Sequence, residues 1–225
     1  MERDKHMKKM FFIFTLFFVL ILTSACGTKT NNNISPESGS GEVASVSEVV
    51  VIEDGRYVVS PEQSTLVWKA NKVLAGHTGL VTIKSGELAV SGGQLTASDI
   101  VMDMSTITSD EGIDSLVKHL KSPDFFNVEE YPEARLAIKS SVAGNEPGEY
   151  IVNADLTIKG ITNPVEFLAK SNLEEGRLLS KAEIIIDRTK WDINYRSGKF
   201  FQDLGDNLIS DEISFVVDLS ASKTE

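Results

Sequence analysis

The chain has 225 residues, of which 41% are hydrophobic and 24% charged, an ordinary balance for a globular protein. Its formal net charge is −11; residues 1–25 contribute +2 (Arg3, Lys5, Lys8 and Lys9 against Glu2 and Asp4), which leaves −13 from Cys26 onward. So acidic a body argues against nucleic acid as a partner, because phosphate backbones need a surplus of Lys and Arg, and against electrostatic attraction to an anionic lipid surface.

The first predicted element is an address. Lys8 and Lys9 precede an apolar run from Met10 to Leu22 that is broken only by Thr15. The run is short for a bilayer span, which needs about 20 residues, but it fits the core of a secretory signal. Leu22-Thr23-Ser24-Ala25-Cys26 follows at once and resembles a lipobox, with small residues before the single cysteine. Residues 1–25 therefore read as a lipoprotein signal peptide and Cys26 as the lipidated residue, since no intramolecular disulfide is open to a lone Cys. Acyl chains contribute about 0.8 kcal/mol per buried CH₂, so two or three of them anchor stably. Gly27, rather than Asp, follows the Cys, which by resemblance to proteobacterial sorting rules implies the periplasmic face of the outer membrane. Residues 26–53 read as a tether, rich in Asn, Ser, Gly and Thr and poor in the apolar groups that would offset ordering.

From residue 54 to 225 the pattern is mostly period two. Leu66, Trp68 and Ala70 share one face of a first long strand. Leu80–Ile83 and Glu87–Val90 flank Lys84-Ser85-Gly86, which reads as a turn or a bulge. Strands are expected over Leu95–Met104, Arg135–Val142, Tyr150–Lys159, Val165–Leu173, Leu178–Asp187 and Glu212–Ser220, with turns at Asn145–Gly148 and Glu174–Gly176. Ile113, Leu116, Val117 and Leu120 instead repeat at helical spacing, capped by Ser109 or Asp110 and ended by Pro123, which predicts one amphipathic helix of about three turns. The fold class is all-β, about eight antiparallel strands with one short helix, as a sandwich or a closed barrel; eight-stranded barrels can hold one elongated ligand. The helix either plugs an end of such a barrel or walls a pocket.

Several runs carry an identity. Gly76-His77-Thr78-Gly79 follows the first long strand. His119-Leu120-Lys121-Ser122-Pro123-Asp124-Phe125-Phe126 leads to Glu130-Tyr131-Pro132, and Leu156-Thr157-Ile158-Lys159-Gly160-Ile161-Thr162 comes later, before Asp187-Arg188-Thr189-Lys190-Trp191. With these runs, residues 57–221 resemble the YceI-like family of bacterial polyisoprenoid-binding proteins. The resemblance implies an extended, lipocalin-like barrel with a long hydrophobic tunnel and a polyprenyl or isoprenoid-quinone ligand. Asp155 stands where many members carry Gly, a departure expected to touch a local bulge and not the fold.

A prenyl tail offers no hydrogen-bonding group, so its site needs a dry apolar tube with polar groups only at the mouth. Candidates for tunnel or mouth are Trp68, His77, Leu116, His119, Leu120, Phe125, Phe126, Trp191 and Tyr195. Arg188 reads as a tie between strands. His77 and His119 alone are weak grounds for a metal, and no nucleophile elbow, H-E-x-x-H or phosphate loop is present. No catalytic residue, metal or cofactor is assigned beyond a bound isoprenoid lipid. The expected role is a lipid-anchored periplasmic carrier or reservoir; its rivals are a filled-barrel interaction module of the envelope and a quinone-related enzyme. Oligomeric state stays open, a homodimer included.

Overall fold

The computed structural model describes residues 52–224. The segments expected to be a signal peptide and, but for its last residues, a tether lie outside the described residues, Cys26 among them. Ile52 is already fully buried, so the ordered body reaches into the last residues read as tether.

Ten strands form one antiparallel sheet. In chain order they are β1 (Gly55–Val59), β2 (Thr65–Lys72), β3 (Gly76–Leu80), β4 (Thr82–Ser91), β5 (Gln94–Asp103), β6 (Glu133–Ala143), β7 (Glu149–Ile158), β8 (Ile161–Glu174), β9 (Arg177–Asp187) and β10 (Ile209–Lys223), with helix α1 (Asp114–Lys121) between β5 and β6. β10 closes the sheet on itself. One edge of β10 pairs with β9; the other pairs first with β2, from Ile213–Ala70 to Asp218–Thr65, and then with β1, from Ala221–Val59 to Lys223–Tyr57. β1 and β2 are thus two halves of one stave, broken at Pro61–Gln63, and β3 and β4 are two halves of the next. The result is a closed eight-staved barrel, so the alternative of a sandwich is set aside. Closure leaves no strand with one whole edge free, as an open sheet would.

Where the first stave breaks, side chains stand in for the ladder. Pro61 has no N–H to give, and the Ser64 hydroxyl accepts from the Ser220 amide at 3.1 Å. Bulges then keep the apolar face inward. Ile83 and Leu88 are both buried although their parity differs, because a bulge between Ile83 and Ser85 inserts one residue. Lys84-Ser85-Gly86 is therefore a bulge inside one continuous strand and not a turn. A side chain at Gly86 would lie 2.6 Å from Val59 Cγ2, which explains glycine there. Asp155 sits in regular register opposite Ala137, and its carboxylate pairs with Lys139 at 2.6 Å.

The barrel has two unlike ends. Tight turns close one end, where Ile52, Tyr57, Leu178 and Ala221 are fully buried. At the other end, residues 104–132 and 188–208 cross as a lid. The helix in the lid is shorter than its apolar spacing predicts. It begins at Asp114, with Ile113 at the cap position and no side-chain cap. Ser109 and Asp110 do not cap it, because their side chains are drawn elsewhere: Asp110 Oδ2 accepts from the Thr78 hydroxyl at 2.7 Å, and Ser109 donates to Glu111. On the helix Leu120 is buried, and Leu116 and Val117 pack at the margin of the core.

Candidate functional site

Two apolar chambers lie in line along the barrel axis. The upper one, under the lid, is lined by sixteen apolar side chains, among them Trp68, Met104, Ile107, Phe126 and Phe215. The lower one, toward the tight turns, is lined by Leu88, Leu95, Phe167, Ala169, Ala182 and their neighbours. Its one polar lining group, Ser180, is satisfied by Ser171 at 2.7 Å between the two hydroxyls. Ile100, Leu136, Ile184 and Val217 line both chambers and form a waist between them. The space open to the centre of a water molecule is ≈ 60 Å³ above the waist and ≈ 50 Å³ below it. With no unsatisfied polar lining group, such a bore stays dry and suits hydrocarbon.

Many contacts pin the lid, and four of them come from the large side chains Trp68, Lys159, Trp191 and Arg188. The Trp68 indole Nε1 donates to Thr108 O at 3.0 Å. Lys159 Nζ donates to Pro123 O at 3.1 Å and to Asp192 O at 3.0 Å, so one ammonium from the β7–β8 turn holds both lid segments. Lys159 and Gly160 both have positive φ, and a side chain at Gly160 would lie 2.6 Å from the Tyr131 ring. Trp191 Nε1 donates to Leu156 O at 3.1 Å. Arg188, fully buried, donates from its guanidinium to the carbonyls of Ser210, Ile193 and Ile209 at 2.8, 2.6 and 3.1 Å. Burial pushes that guanidinium down from its ordinary pKa, while Asp211 and Asp187 push it up.

The residues singled out by sequence therefore separate. Trp68 and Phe126 line the upper chamber. Leu116, Leu120 and Trp191 belong to the packed lid and core, outside the chamber walls. Phe125 is buried but turns away from the bore, 4.9 Å from the His119 ring and 5.5 Å from the Tyr195 ring, centroid to centroid. His119 also meets Tyr195 edge-on at 4.6 Å, and its Nε2 lies 3.0 Å from Asp124 Oδ2. His77 sits at the rim, its Nδ1 buried without a hydrogen-bond partner and 3.6 Å from Glu111. Among the described residues no three His, Cys, Asp or Glu side chains are grouped to hold a metal. Met104, Ile107 and the four waist residues were not singled out. Alternation marks the four waist residues as inward, while Met104 and Ile107 lie in and just after a 3-10 turn; in either setting, apolar positions that border a void and those that fill the core look alike in sequence.

The YceI-like domain matches residues 57–221. The chain belongs to the YceI-like family. A UPF0312 protein of Photorhabdus laumondii is 48% identical over 48 residues, 21% of this chain and 24% of that protein. A UPF0312 protein of Shewanella oneidensis is 24% identical over 129 residues, 56% of this chain and 67% of that one. The chain thus spans about a quarter and about two thirds of these curated relatives. Among solved structures, Burkholderia cenocepacia BcnA superposes with a TM-score of 0.60 at 18% identity, covering 73% of this chain and 99% of BcnA. A polyisoprenoid binding domain from Saccharophagus degradans, implicated in plant cell wall breakdown, superposes with a TM-score of 0.58 at 14% identity, over 76% of this chain and all of that domain. At these identities the likeness is one of fold: the YceI-like, lipocalin-like barrel.

Proposed function

We propose that this YceI-like protein is a binding protein for a long apolar amphiphile, of the polyisoprenoid or isoprenoid-quinone class, held in the barrel as a carrier or reservoir. The observation that carries the reading is the pair of aligned chambers, apolar but for the satisfied Ser180 hydroxyl. A chain that enters replaces a poorly hydrated void with contacts, and each buried CH₂ contributes about 0.8 kcal/mol before ordering costs. The bore is narrow, so it takes one chain in single file and its side chains adjust as the chain enters. The lipobox at Cys26 supports placement at the envelope, tied by acyl chains on the periplasmic side. The reading calls for no catalytic group and no cofactor.

The same narrowness favours the rival reading of a filled barrel that serves as an interaction module. Native mass spectrometry of the full chain, with lipid extraction, separates the two when the protein comes from a cell that makes isoprenoid quinones. Binding predicts a prenyl species at one per protein. A protein that is empty and also refuses added quinones and polyprenyl phosphates is a filled barrel.

A further inference from the structure

The barrel wall is not hydrogen-bonded all the way around. β8 pairs with β7 from Ile161 to Lys170, but with β9 only from Ala169 to Glu174. Above the rung formed by Ala169 and Ala182, β8 runs back to Ile161 and β9 on to Asp187 with no ladder between them. At the lid the gap is bridged again, where Asn163 Nδ2 donates to Lys190 O at 2.9 Å. The wall therefore contains a window with a sill and a lintel; a second unpaired stretch, between β5 and β6 below the Ile100–Leu136 rung, is stitched by the Ser141 and Ser98 hydroxyls, which accept from the amides of Leu95 and Ile138. Backbone groups along such an unpaired edge need water or a partner.

The window leads somewhere. A groove on the outer surface is lined by Leu168, Lys170, Lys181 and Glu183. Ala169, Ala182 and Val217 line this groove and also the lower chamber, so only small side chains and backbone separate outside from inside. Leu168 and Ile185, one on each side of the window, are 54% and 56% exposed, which makes its lips apolar. Around the rim, both nearby carboxylates already accept hydrogen bonds, while Lys170, which faces Glu149 across one rung and Lys181 across the other, is a cation with no ion pair among the described residues. Glu149, also in the groove, accepts from the amides of Asn145 and Glu146, and Glu183 accepts from the Ser214 hydroxyl. Lys181 pairs with Asp218 at 2.7 Å but stands directly opposite Lys170. Like charges facing across a rung repel unless an anion lies between them.

We infer that the window between β8 and β9 is a lateral portal, through which a single apolar chain enters the lower chamber while an acceptor-bearing head group of phosphate type stays outside against Lys170 and Lys181. This rests on the amphiphile-binding reading and adds the route and the chemistry of the head group. Ala169 and Ala182 form the sill because any larger pair would shut it.

The test uses the full chain and hexadecyl phosphate carrying a diazirine beside the phosphate. After irradiation, peptide mapping places the label on the β8–β9 residues 166–171 or 180–185. In a binding titration, the double change Lys170→Gln and Lys181→Gln weakens hexadecyl phosphate about tenfold, the loss of charge-assisted hydrogen bonds, and leaves hexadecanol within about twofold. Label on residues 104–132 or 192–208, with the lysine changes silent, puts entry at the lid and overturns the portal. Competition by inorganic phosphate as strong as that by hexadecyl phosphate overturns it too, by reducing the site to a plain anion site. A wild-type protein that binds neither probe removes the amphiphile-binding reading itself, which the first two outcomes do not.

Discussion

Trp68 on the barrel wall and Thr108 on the lid are joined by one hydrogen bond, and it forms only because Gly79 lies between them. A Cβ on Gly79 would stand 2.0 Å from Thr108 O and 2.7 Å from the Trp68 Nε1. Both contacts are with groups that cannot swing aside, the first with backbone. Gly79→Ala is expected to push residues 106–110 off the wall and to cost about 2 kcal/mol, in the range for overpacked sites. Trp68→Phe keeps the ring but leaves Thr108 O unpaired, at about 1 kcal/mol. Urea unfolding gives both values, and hydrogen exchange shows whether the added opening is confined to residues 104–113.

Arg188 is another clasp of the lid. Its substitution by Met fills the volume but leaves three carbonyls without their donor, which should destabilise the fold by about 3 kcal/mol. Arg188→Lys keeps the charge, yet one ammonium cannot match the planar fork, so it recovers only part of the loss. Equal stability of the Arg188→Met variant and the parent in urea would remove the structural role given to this residue.

Stability should fall in acid through Asp187. Burial alone would raise its pKa, but Lys199, at 2.5 Å, and the hydroxyl and amide of Thr189 outweigh it and bring the value from 3.8 to about 2. The folded state thus favours the carboxylate more than the unfolded chain does. The contribution is complete above the unfolded value and is lost as pH drops from about 4 toward 2. Asp187→Asn should flatten that limb of a Tm-versus-pH curve; an unchanged slope there assigns the acid sensitivity to other groups.

The upper chamber can be filled by mutation. Ala134 lines it, and an indole at that position would occupy the space that a chain needs. Ala134→Trp should abolish uptake of a prenyl lipid and lower stability by about 1–3 kcal/mol, with the barrel circular-dichroism spectrum kept. Leu136→Trp, at the waist, should do the same. Uptake that survives both changes places the ligand outside the chambers.

Cys26→Ala tests the anchor independently of the barrel. The variant should accumulate as a precursor that carries no acyl label and is not cleaved before residue 26. Normal lipid labelling of that variant would sink the lipobox reading while leaving the chambers untouched.

Much of this was legible in the sequence. Strand positions follow from period-two burial, as Leu66 and Trp68 show, and the turns at Asn145–Gly148 and Glu174–Gly176 lie where the hairpins close. The family runs point to the fold, and the structure gives two of them a physical reason. Lys159 and Gly160 make a turn that locks both lid segments, and Phe125 and Phe126 split between an outer aromatic cluster and the bore. Alternation and turn chemistry are local properties, so a chain read alone can state them.

The rest depended on which distant residues meet. Nothing near Ile209–Lys223 says that one strand pairs with β9 on one edge and with both β2 and β1 on the other, yet that pairing decides barrel over sandwich. The phase shift at Ile83–Ser85, the close approach of Thr108 to Gly79 and the three carbonyls gathered by Arg188 are likewise products of register and closure. By itself the sequence determined which faces are apolar and where the chain turns, because side-chain period and turn residues are written locally. Only the tertiary structure decided where those faces leave a void and where the wall comes apart between β8 and β9, because a cavity and a missing ladder are relations between staves and belong to no single segment.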